Sequence, residues 1–280
     1  MTETKTYSYR YPHPAVTTDC VIFGFDGSKL NVLLVERGIE PFKGSWALPG
    51  GFMRIDETAE ECAARELKEE TGLEPSYMEQ LSAFSGVNRD PRERVVTIAF
   101  FALVRTSNVV GGDDAADARW WSIDELPSLA FDHADILEHA LKVLREKVRV
   151  EPISFQLLDE EFTMPELQSI YEAILGVNFD RRNFSKKVLS LGIAEPVMSP
   201  DAVTASCADA ALPGNLISLN EDGTANDNKI GWISKNSTQT IKMSPHTKIG
   251  KTPRLFAFNK KRFDFIRKKK DDGTSMPFDF

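Results

Sequence analysis

The sequence predicts an α+β chain in two parts, a mixed sheet with helices followed by a small helix-turn-helix domain. Its 280 residues correspond to roughly two domains, at about 100–200 residues each. The first half mixes strand-like and helix-like segments, as α/β and α+β folds do. The second half contains two short helices joined by a few residues, which is the outline of a helix-turn-helix.

Composition places the chain among ordinary globular proteins, since 41% of its residues are hydrophobic and 27% are charged. No segment approaches the roughly 20 apolar residues of a membrane helix, so we expect no membrane partner. The N-terminal residues lack the apolar core of a secretion signal. Three cysteines (Cys20, Cys62 and Cys207) are too few and too scattered for a disulfide framework or a zinc cluster. We therefore expect a cytoplasmic protein.

The charge is distributed unevenly along the chain. Residues 1–154 carry 26 acidic and 17 basic side chains, whereas the remainder carries 16 acidic and 17 basic ones. Between Lys248 and Lys270, ten Lys and Arg residues accompany one acidic residue, Asp264. The first half therefore cannot offer a general polyanion-binding surface, while the second half could contact phosphate.

The first half is predicted to contain two strands, a helix, a third strand and a second helix. These cover 16–36 (both strands, with a turn at Asp26-Gly27), 59–71, 94–104 and 132–148, and a loop covers 37–51. The helix over 59–71 has clear ends. Thr58 is its expected N-cap and Glu61 completes a capping box, while Gly72 stands where a C-terminal glycine belongs.

The second half is predicted to begin at Glu151-Pro152, which divides the chain into domains 1–152 and 153–280. Thr163 and Glu166 form a second capping box, and this helix ends at Gly176. A basic helix follows, from the expected N-cap Asp180 to Gly192. The polar residues 198–247, with a candidate hairpin at Asp222-Gly223, are interpreted as an insertion. A strand over 254–258 and a closing helix over 259–270 follow.

The helix over 59–71 carries acidic side chains on one face. Glu66 and Glu70 are four residues apart, and Glu69 is three from Glu66. Like charges at this spacing repel, and a cation between them would reverse that cost. Oxygen ligands without His or Cys suit Mg²⁺ or Mn²⁺. Gly50 and Gly51 allow a tight turn that presents backbone carbonyls to an ion. The plain alternative is a solvated acidic face.

The same segment resembles the Nudix box, G-x5-E-x7-R-E-U-x-E-E-x-G-U with U apolar. The nine matching positions are Gly51, Glu57, Arg65, Glu66, Leu67, Glu69, Glu70, Gly72 and Leu73. The resemblance implies the Nudix fold, a mixed sheet between helices, and cleavage of a nucleoside diphosphate linked to another group. It implies that Glu66, Glu69 and Glu70 ligate Mg²⁺ or Mn²⁺, with the Gly50 carbonyl as a further ligand. It also implies that Glu57 and Arg65 form a supporting ion pair.

The reaction expected at such a site is metal-assisted attack of water on phosphorus. Asp113 and Asp114, in a later loop, are candidates for a further acidic group in the substrate site. Arg89 could pair with a substrate phosphate, or it could be a solvated loop charge. His133 could shape the nucleotide pocket or simply begin a helix.

A narrower resemblance covers most of residues 15–193. Segments such as RGIEPFKGSWALPGGF, LAFDHADILEHAL and FTMPELQSIYEAILGVNFDRRNFSKKVLSLGI are similar to Nudix-related transcriptional regulators of NAD or sugar metabolism, which carry a winged helix. This resemblance implies ADP-ribose or a related nucleotide as ligand. Several such proteins have degenerate Nudix boxes, whereas this box is intact, so hydrolysis stays chemically possible. The alternative is a non-catalytic repressor that senses ADP-ribose.

The basic helix is a candidate DNA-recognition helix. Its polar side chains are Arg181, Arg182, Asn183, Lys186 and Lys187. Arg can bind guanine, Asn can bind adenine, and Lys can contact phosphate. Because one copy makes few phosphate contacts, double-stranded DNA as a partner implies a homodimer on paired half-sites. A solvated amphipathic helix is the plain alternative, and the second domain could instead bind another protein or support a dimer.

Overall fold

A computed structural model describes residues 7–106, 115–197 and 254–264, and the side chains of 115 and 116 are not part of that description. Its elements, in chain order, are β1 Ala15–Phe25, β2 Leu30–Arg37, β3 Trp46–Ala47, β4 Gly50–Phe52, α1 Ala59–Thr71, β5 Tyr77–Phe84, β6 Val95–Arg105, β7 Ala115–Ser122, α2 His133–Val148, a 3₁₀ turn Ile153–Leu157, β8 Glu161–Thr163, α3 Met164–Leu175, α4 Arg181–Leu191, β9 Ala194–Pro196 and β10 Leu255–Phe258.

The first sheet is mixed. Its main path runs β3-β2-β1-β6-β5, and within the described residues β4 adds to β1 and β7 adds to β2. The long central strands β1 and β6 pair in parallel from Ala15–Val95 to Phe25–Arg105, and the other pairings are antiparallel. The sheet therefore matches the predicted mixed architecture.

Two helices cover opposite faces of this sheet, because successive strand side chains point to opposite sides. On β1, Cys20 and Ile22 pack with Ala63 and Leu67 of α1. The alternate residues of β1 join a second core, to which α2 contributes its apolar stripe of Ile136, Leu137, Ala140 and Leu144. Because α1 packs against the sheet on one side, its other side chains face solvent or the cleft described below.

The second half forms a helix-turn-helix with a small sheet. Helices α3 and α4 are followed by β9, and the sheet order is β8-β10-β9. The expected caps are confirmed: Thr163 and Glu166 form a capping box, the Asp180 side chain accepts the Asn183 N–H, and Gly176 and Gly192 end their helices in the left-handed conformation. Buried residues from both sides of position 152 share one core, so the domain boundary there stays a prediction.

The sequence analysis missed six of the described strands. The predicted loop over 37–51 contains β3 and enters β4, and β5, β7, β8 and β9 were not predicted. Several of these strands are held by pairing with partners far along the chain, which local patterns do not reveal. The elements that were predicted agree to within about one residue. Of the predicted closing helix, residues 260–264 are helical and the remainder lies outside the described residues, as does the insertion at 198–247 with its candidate hairpin.

Candidate functional site

A cleft of about 640 Å³ opens at one edge of the first sheet, between α1, the β1–β2–β4 region and the start of α2. It brings together residues that the sequence predicted separately. The predicted residues that line it are Gly50, Arg65, Glu66, Glu69, Glu70 and Arg89. Glu57 is not among its lining residues and acts on the cleft through Arg65.

Helix α1 contributes three carboxylates to the lining of this cleft, those of Glu66, Glu69 and Glu70. The predicted capping box is present, with the Thr58 side chain accepting the Glu61 N–H and the Glu61 carboxylate accepting the Thr58 N–H. Cys62, Ala63 and Leu67 are buried, and Ala63 and Leu67 anchor the apolar side of the helix against the sheet. Because the apolar side is fixed against the sheet, the face carrying Glu66, Glu69 and Glu70 lies along the cleft.

Arg65 connects these carboxylates, and the predicted ion pair with Glu57 is confirmed. Its guanidinium binds Glu57 in a two-pronged contact, with Nη2–Oε1 at 2.6 Å and Nε–Oε2 at 2.9 Å. Its Nη1 donates to Glu66 Oε1 at 2.7 Å and to Glu69 Oε2 at 3.0 Å. Hydrogen bonds from Arg65 lower the pKa of Glu57 to about 2, so Glu57 stays ionised at neutral pH.

Two glycines make room for the glutamates. A Cβ on Gly51 would lie 2.5 Å from the Glu66 carboxyl carbon, and a Cβ on Gly50 would lie 2.0 Å from the Thr18 carbonyl oxygen. The Gly50 N–H also donates to Glu70 Oε2 at 2.9 Å. Burial raises the pKa of Glu66, and Arg65 only partly offsets this. The close contacts of Gly50 with β1 and of Gly51 with α1 thus require residues without side chains.

The donor set fits a hard divalent cation. Glu66 and Glu69 already converge on one positively charged nitrogen of Arg65, and the partly buried Glu66 carboxylate would gain from a further positive charge. All candidate ligands are oxygens, which Mg²⁺ and Mn²⁺ prefer. Among the described residues, no three acidic, His or Cys side chains already surround a single point. A cation would therefore have to draw the carboxylates together.

Arg89 is buried, so its interpretation as a solvated loop charge is wrong. Its side chain is 5% exposed. It donates to both carboxylate oxygens of Asp132 at 2.9 and 2.7 Å, and to Asp19 Oδ2 at 3.0 Å. Burial by itself would lower the pKa of Arg89, but Asp132 and Asp19 raise it overall. This ion-pair network forms one wall of the cleft.

Helix α4 exposes its basic side chains as predicted. Phe184, Val188 and Leu191 are buried, whereas Arg181, Arg182, Asn183 and Lys186 are exposed and Lys187 is partly exposed. Among the described residues, none of these four basic side chains forms an ion pair with a carboxylate. The helix therefore presents uncompensated positive charge to its surroundings.

Comparisons with known proteins agree with both halves of this structure. Residues 13–140 match the NUDIX domain model, and residues 154–205 match the NrtR DNA-binding winged helix domain model. The chain is 36% identical over 190 residues to an ADPR responsive transcriptional repressor, NtrR, of Acinetobacter baylyi. The aligned residues cover 66% of this chain and 76% of that protein. It belongs to the Nudix family and carries an NrtR-type winged helix.

Two further relatives cover different lengths of this Nudix protein. An ADP-ribose pyrophosphatase of Methanocaldococcus jannaschii is 44% identical over 133 residues, which is 47% of this chain and 76% of that protein. A crystal structure of Shewanella oneidensis NrtR complexed with a 27mer DNA is similar with a TM-score of 0.60 and 26% identity, over 89% of this chain and 95% of that chain. The predicted fold class, a Nudix fold followed by a winged helix, is confirmed.

His133, for which the sequence left two roles open, has a position that fits both of them. It is the first residue of α2, and it also lines the Nudix cleft. Its Nδ1 accepts the Leu48 N–H at 2.9 Å, and its Nε2 lies 3.7 Å from Asp19 Oδ1. Burial lowers the pKa of His133. A neutral ring with hydrogen on Nε2 satisfies both neighbours.

An aromatic wall completes the Nudix cleft. Phe131 and Phe52 line it, and the Arg92 guanidinium lies over both rings, 5.4 Å from the Phe52 centroid and 5.8 Å from that of Phe131. Phe131 also contacts Phe42 edge to face at 4.8 Å. Both Phe42 and Phe131 have positive φ, 64° and 54°. Backbone strain of this kind concentrates at functional sites, but no sequence pattern predicts a positive φ for a phenylalanine.

Asp113 and Asp114, the candidates for a further acidic group, lie outside the described residues. Within the described ranges, none of the helices combines the length and apolarity that a bilayer crossing requires.

Proposed function

We propose that this chain is a divalent-metal-dependent Nudix pyrophosphohydrolase that acts on ADP-ribose or a related nucleoside diphosphate-linked compound. We further propose that its winged helix binds double-stranded DNA, which makes it a metabolite-responsive transcriptional regulator. The observation that carries the proposal is that one cleft is lined both by the three Nudix-box glutamates proposed as metal ligands and by arginines suited to a pyrophosphate.

The proposed ligands of Mg²⁺ or Mn²⁺ are Glu66, Glu69 and Glu70, with the Gly50 carbonyl. When bound, the cation would neutralise charge on the phosphoanhydride and lower the pKa of water. The protein's own contribution is positioning. Arg65, held by Glu57, orients Glu66 and Glu69, while the Gly50 N–H orients Glu70. Arg89 and Arg92 are proposed to face the substrate phosphates, and the aromatic wall to cover its apolar parts.

ADP-ribose is favoured by two similar proteins whose names contain it, the Acinetobacter baylyi repressor and the Methanocaldococcus jannaschii pyrophosphatase. DNA binding is favoured by the similarity to Shewanella oneidensis NrtR in complex with a 27mer DNA and by the exposed basic face of α4. The proposed DNA contacts are Arg181, Arg182, Asn183, Lys186 and Lys187. A homodimer on paired half-sites is part of this proposal, because a single recognition helix makes too few contacts for useful affinity.

A second candidate function, sensing without turnover, has its own support. The relative that matches the longer part of this chain is named a repressor, and Arg65 already donates hydrogen bonds to two of the proposed metal ligands. In this alternative the cleft binds ADP-ribose and controls the winged helix without cleaving it.

The deciding experiment compares the full-length protein with its Glu70→Gln variant. Each is incubated with ADP-ribose and MgCl₂, and AMP release is followed by chromatography, while binding is measured by calorimetry without metal. We expect wild type to release AMP and the variant to be slower by about two orders of magnitude. Glu60→Gln, an exposed change on α1 outside the cleft, serves as the control. If wild type and variant are equally inert yet bind ADP-ribose alike, the sensing function replaces the enzymatic one.

A further inference from the structure

A short basic segment at the end of the described chain lies directly beside the proposed recognition helix. We define the C-terminal basic turn as residues 259–264, which follow β10 and are helical from 260 onward. The winged helix model matches residues 154–205 and so does not include this turn. Its position and its charge both distinguish it from an ordinary surface turn.

Three contacts fix the turn at the C-terminal end of α4. The Asn259 N–H donates to the Ile193 carbonyl at 2.8 Å, and Arg262 Nε donates to the Leu191 carbonyl at 3.2 Å. Phe263 is buried in the same core as Phe184 of α4. The turn therefore keeps a defined position relative to the recognition helix.

The three basic residues of the turn differ in what they contact. Arg262 lies at the C-terminal carbonyls of α4, where a positive charge favours the helix dipole. Lys260 and Lys261 are exposed, and among the described residues neither forms an ion pair. Within the described ranges, neither of the nearby acids, Glu195 and Asp264, forms an ion pair with these lysines, and the Glu195 carboxylate accepts a hydrogen bond from the Asn259 side-chain amide. Two lysines are thus left as free positive charge.

The same condition holds for the basic residues of α4. Within the described residues, Arg181, Arg182, Lys186 and Lys187 form no ion pair with a carboxylate. Helix α4 and the turn that contacts its end therefore carry six basic side chains without a carboxylate partner in the described ranges. Clustered Lys and Arg without partners form the electrostatic footprint of a phosphate-binding surface.

We propose that Lys260 and Lys261 contact the phosphate backbone of the DNA that α4 recognises, and so extend the binding surface beyond the winged helix domain matched by the family model. The proposal rests on the DNA binding proposed above. Helix α4 has 11 residues and is therefore about 16 Å long, whereas the major groove is about 12 Å wide. A basic group beyond the C-terminal end of α4 can reach phosphates on the far side of the groove from Arg181 and Arg182.

The test relies on the fact that contacts to phosphate do not depend on the base sequence. A duplex selected by the wild-type protein from a random pool and a scrambled duplex of the same length are titrated with full-length protein at several salt concentrations. We expect the double variant Lys260→Ala/Lys261→Ala to lower the affinity for both duplexes by the same factor. In the proposed homodimer this variant removes four phosphate contacts, two from each protomer. The slope of log affinity against log salt should therefore be smaller by about 3.6, which is about 0.9 for each contact. Lys260→Arg/Lys261→Arg should keep the wild-type slope.

The matched control is Lys43→Ala/Lys142→Ala, which removes two exposed lysines without ion pairs in the described part of the Nudix domain. A Lys260→Ala/Lys261→Ala slope equal to that of the control overturns the proposal. Arg182→Ala separates this failure from the failure of DNA binding itself. If Arg182→Ala weakens the selected duplex while the lysine variant changes nothing, only the extended surface is wrong. If wild type binds neither duplex, the DNA-binding function is wrong.

Discussion

The carboxylate of Glu66 lies directly against the backbone of Gly51, and a Cβ on residue 51 would be 2.5 Å from its carboxyl carbon. Carbon atoms of different residues do not approach that closely without a covalent bond. Because the carboxylate is the end of a flexible side chain, a side chain at position 51 would displace it and leave the fold intact. The glycine of the box thus fixes the position of a proposed metal ligand that follows it by 15 residues.

Gly51→Ala is therefore expected to lower the rate of AMP release by about 100-fold, the loss typical of a 1 Å misplacement in a catalytic site. Mn²⁺ affinity, measured by electron paramagnetic resonance, should fall in parallel, while the circular dichroism spectrum and melting temperature stay close to wild type. Gly86→Ala is the control, since its Cβ would meet only Arg89 Cβ, at an ordinary 3.7 Å. Unchanged Mn²⁺ affinity in Gly51→Ala would show that Glu66 is not a ligand.

The Glu57–Arg65 ion pair predicts a pH dependence of stability. Arg65 lowers the pKa of Glu57 from an ordinary value of 4.5 to about 2. A carboxyl whose pKa is lowered by folding stabilises the fold fully above its unfolded pKa, and this contribution is lost as the pH falls toward the folded pKa. Wild type should thus lose more melting temperature than Glu57→Gln between about pH 4.5 and 2.

At pH 7 Glu57→Gln should be the less stable protein, and the two melting curves should converge near pH 2. Glu60→Gln, on the exposed face of α1, should follow wild type over the whole range. Parallel wild-type and Glu57→Gln curves would mean that the ion pair does not affect stability.

The buried network of Arg89, Asp19 and Asp132 predicts a stability effect at one end of α2. Asp132→Asn removes the charge that Arg89 contacts twice, and leaves the guanidinium with Asp19 alone. Because Asp132 makes no side-chain capping hydrogen bond, the helix start itself should survive. We expect a loss of about 1–3 kcal/mol in the free energy of unfolding by urea, less than for a fully unpaired buried charge. Asp135→Asn, an exposed change one turn further, should cost less than about 0.5 kcal/mol.

Whether a contact of the cleft could be predicted from the sequence depends on how far apart its residues lie along the chain. Glu66, Glu69 and Glu70 share one helical turn, and their spacing alone places them on one face. Asp19, by contrast, is 70 residues from Arg89, and Asp132 is 43 residues from it. Their meeting depends on the pairing of β1 with β6 and on the start of α2. The positive φ of Phe131 likewise depends on tertiary packing, so neither contact could be predicted from local pattern.

Helix α4 supports a prediction about sequence discrimination. Arg182 is exposed near its N-terminal end, where a recognition helix contacts base edges. If it makes a two-pronged contact with guanine, Arg182→Ala should lose about 1–3 kcal/mol of preference for the selected duplex, and much less affinity for a scrambled one. Fluorescence anisotropy with both duplexes measures the ratio. Ser190→Ala, exposed toward the other end of α4, should leave the ratio unchanged. An equal loss on both duplexes would make Arg182 a phosphate contact instead, and would move base recognition to the neighbouring Arg181 or Asn183.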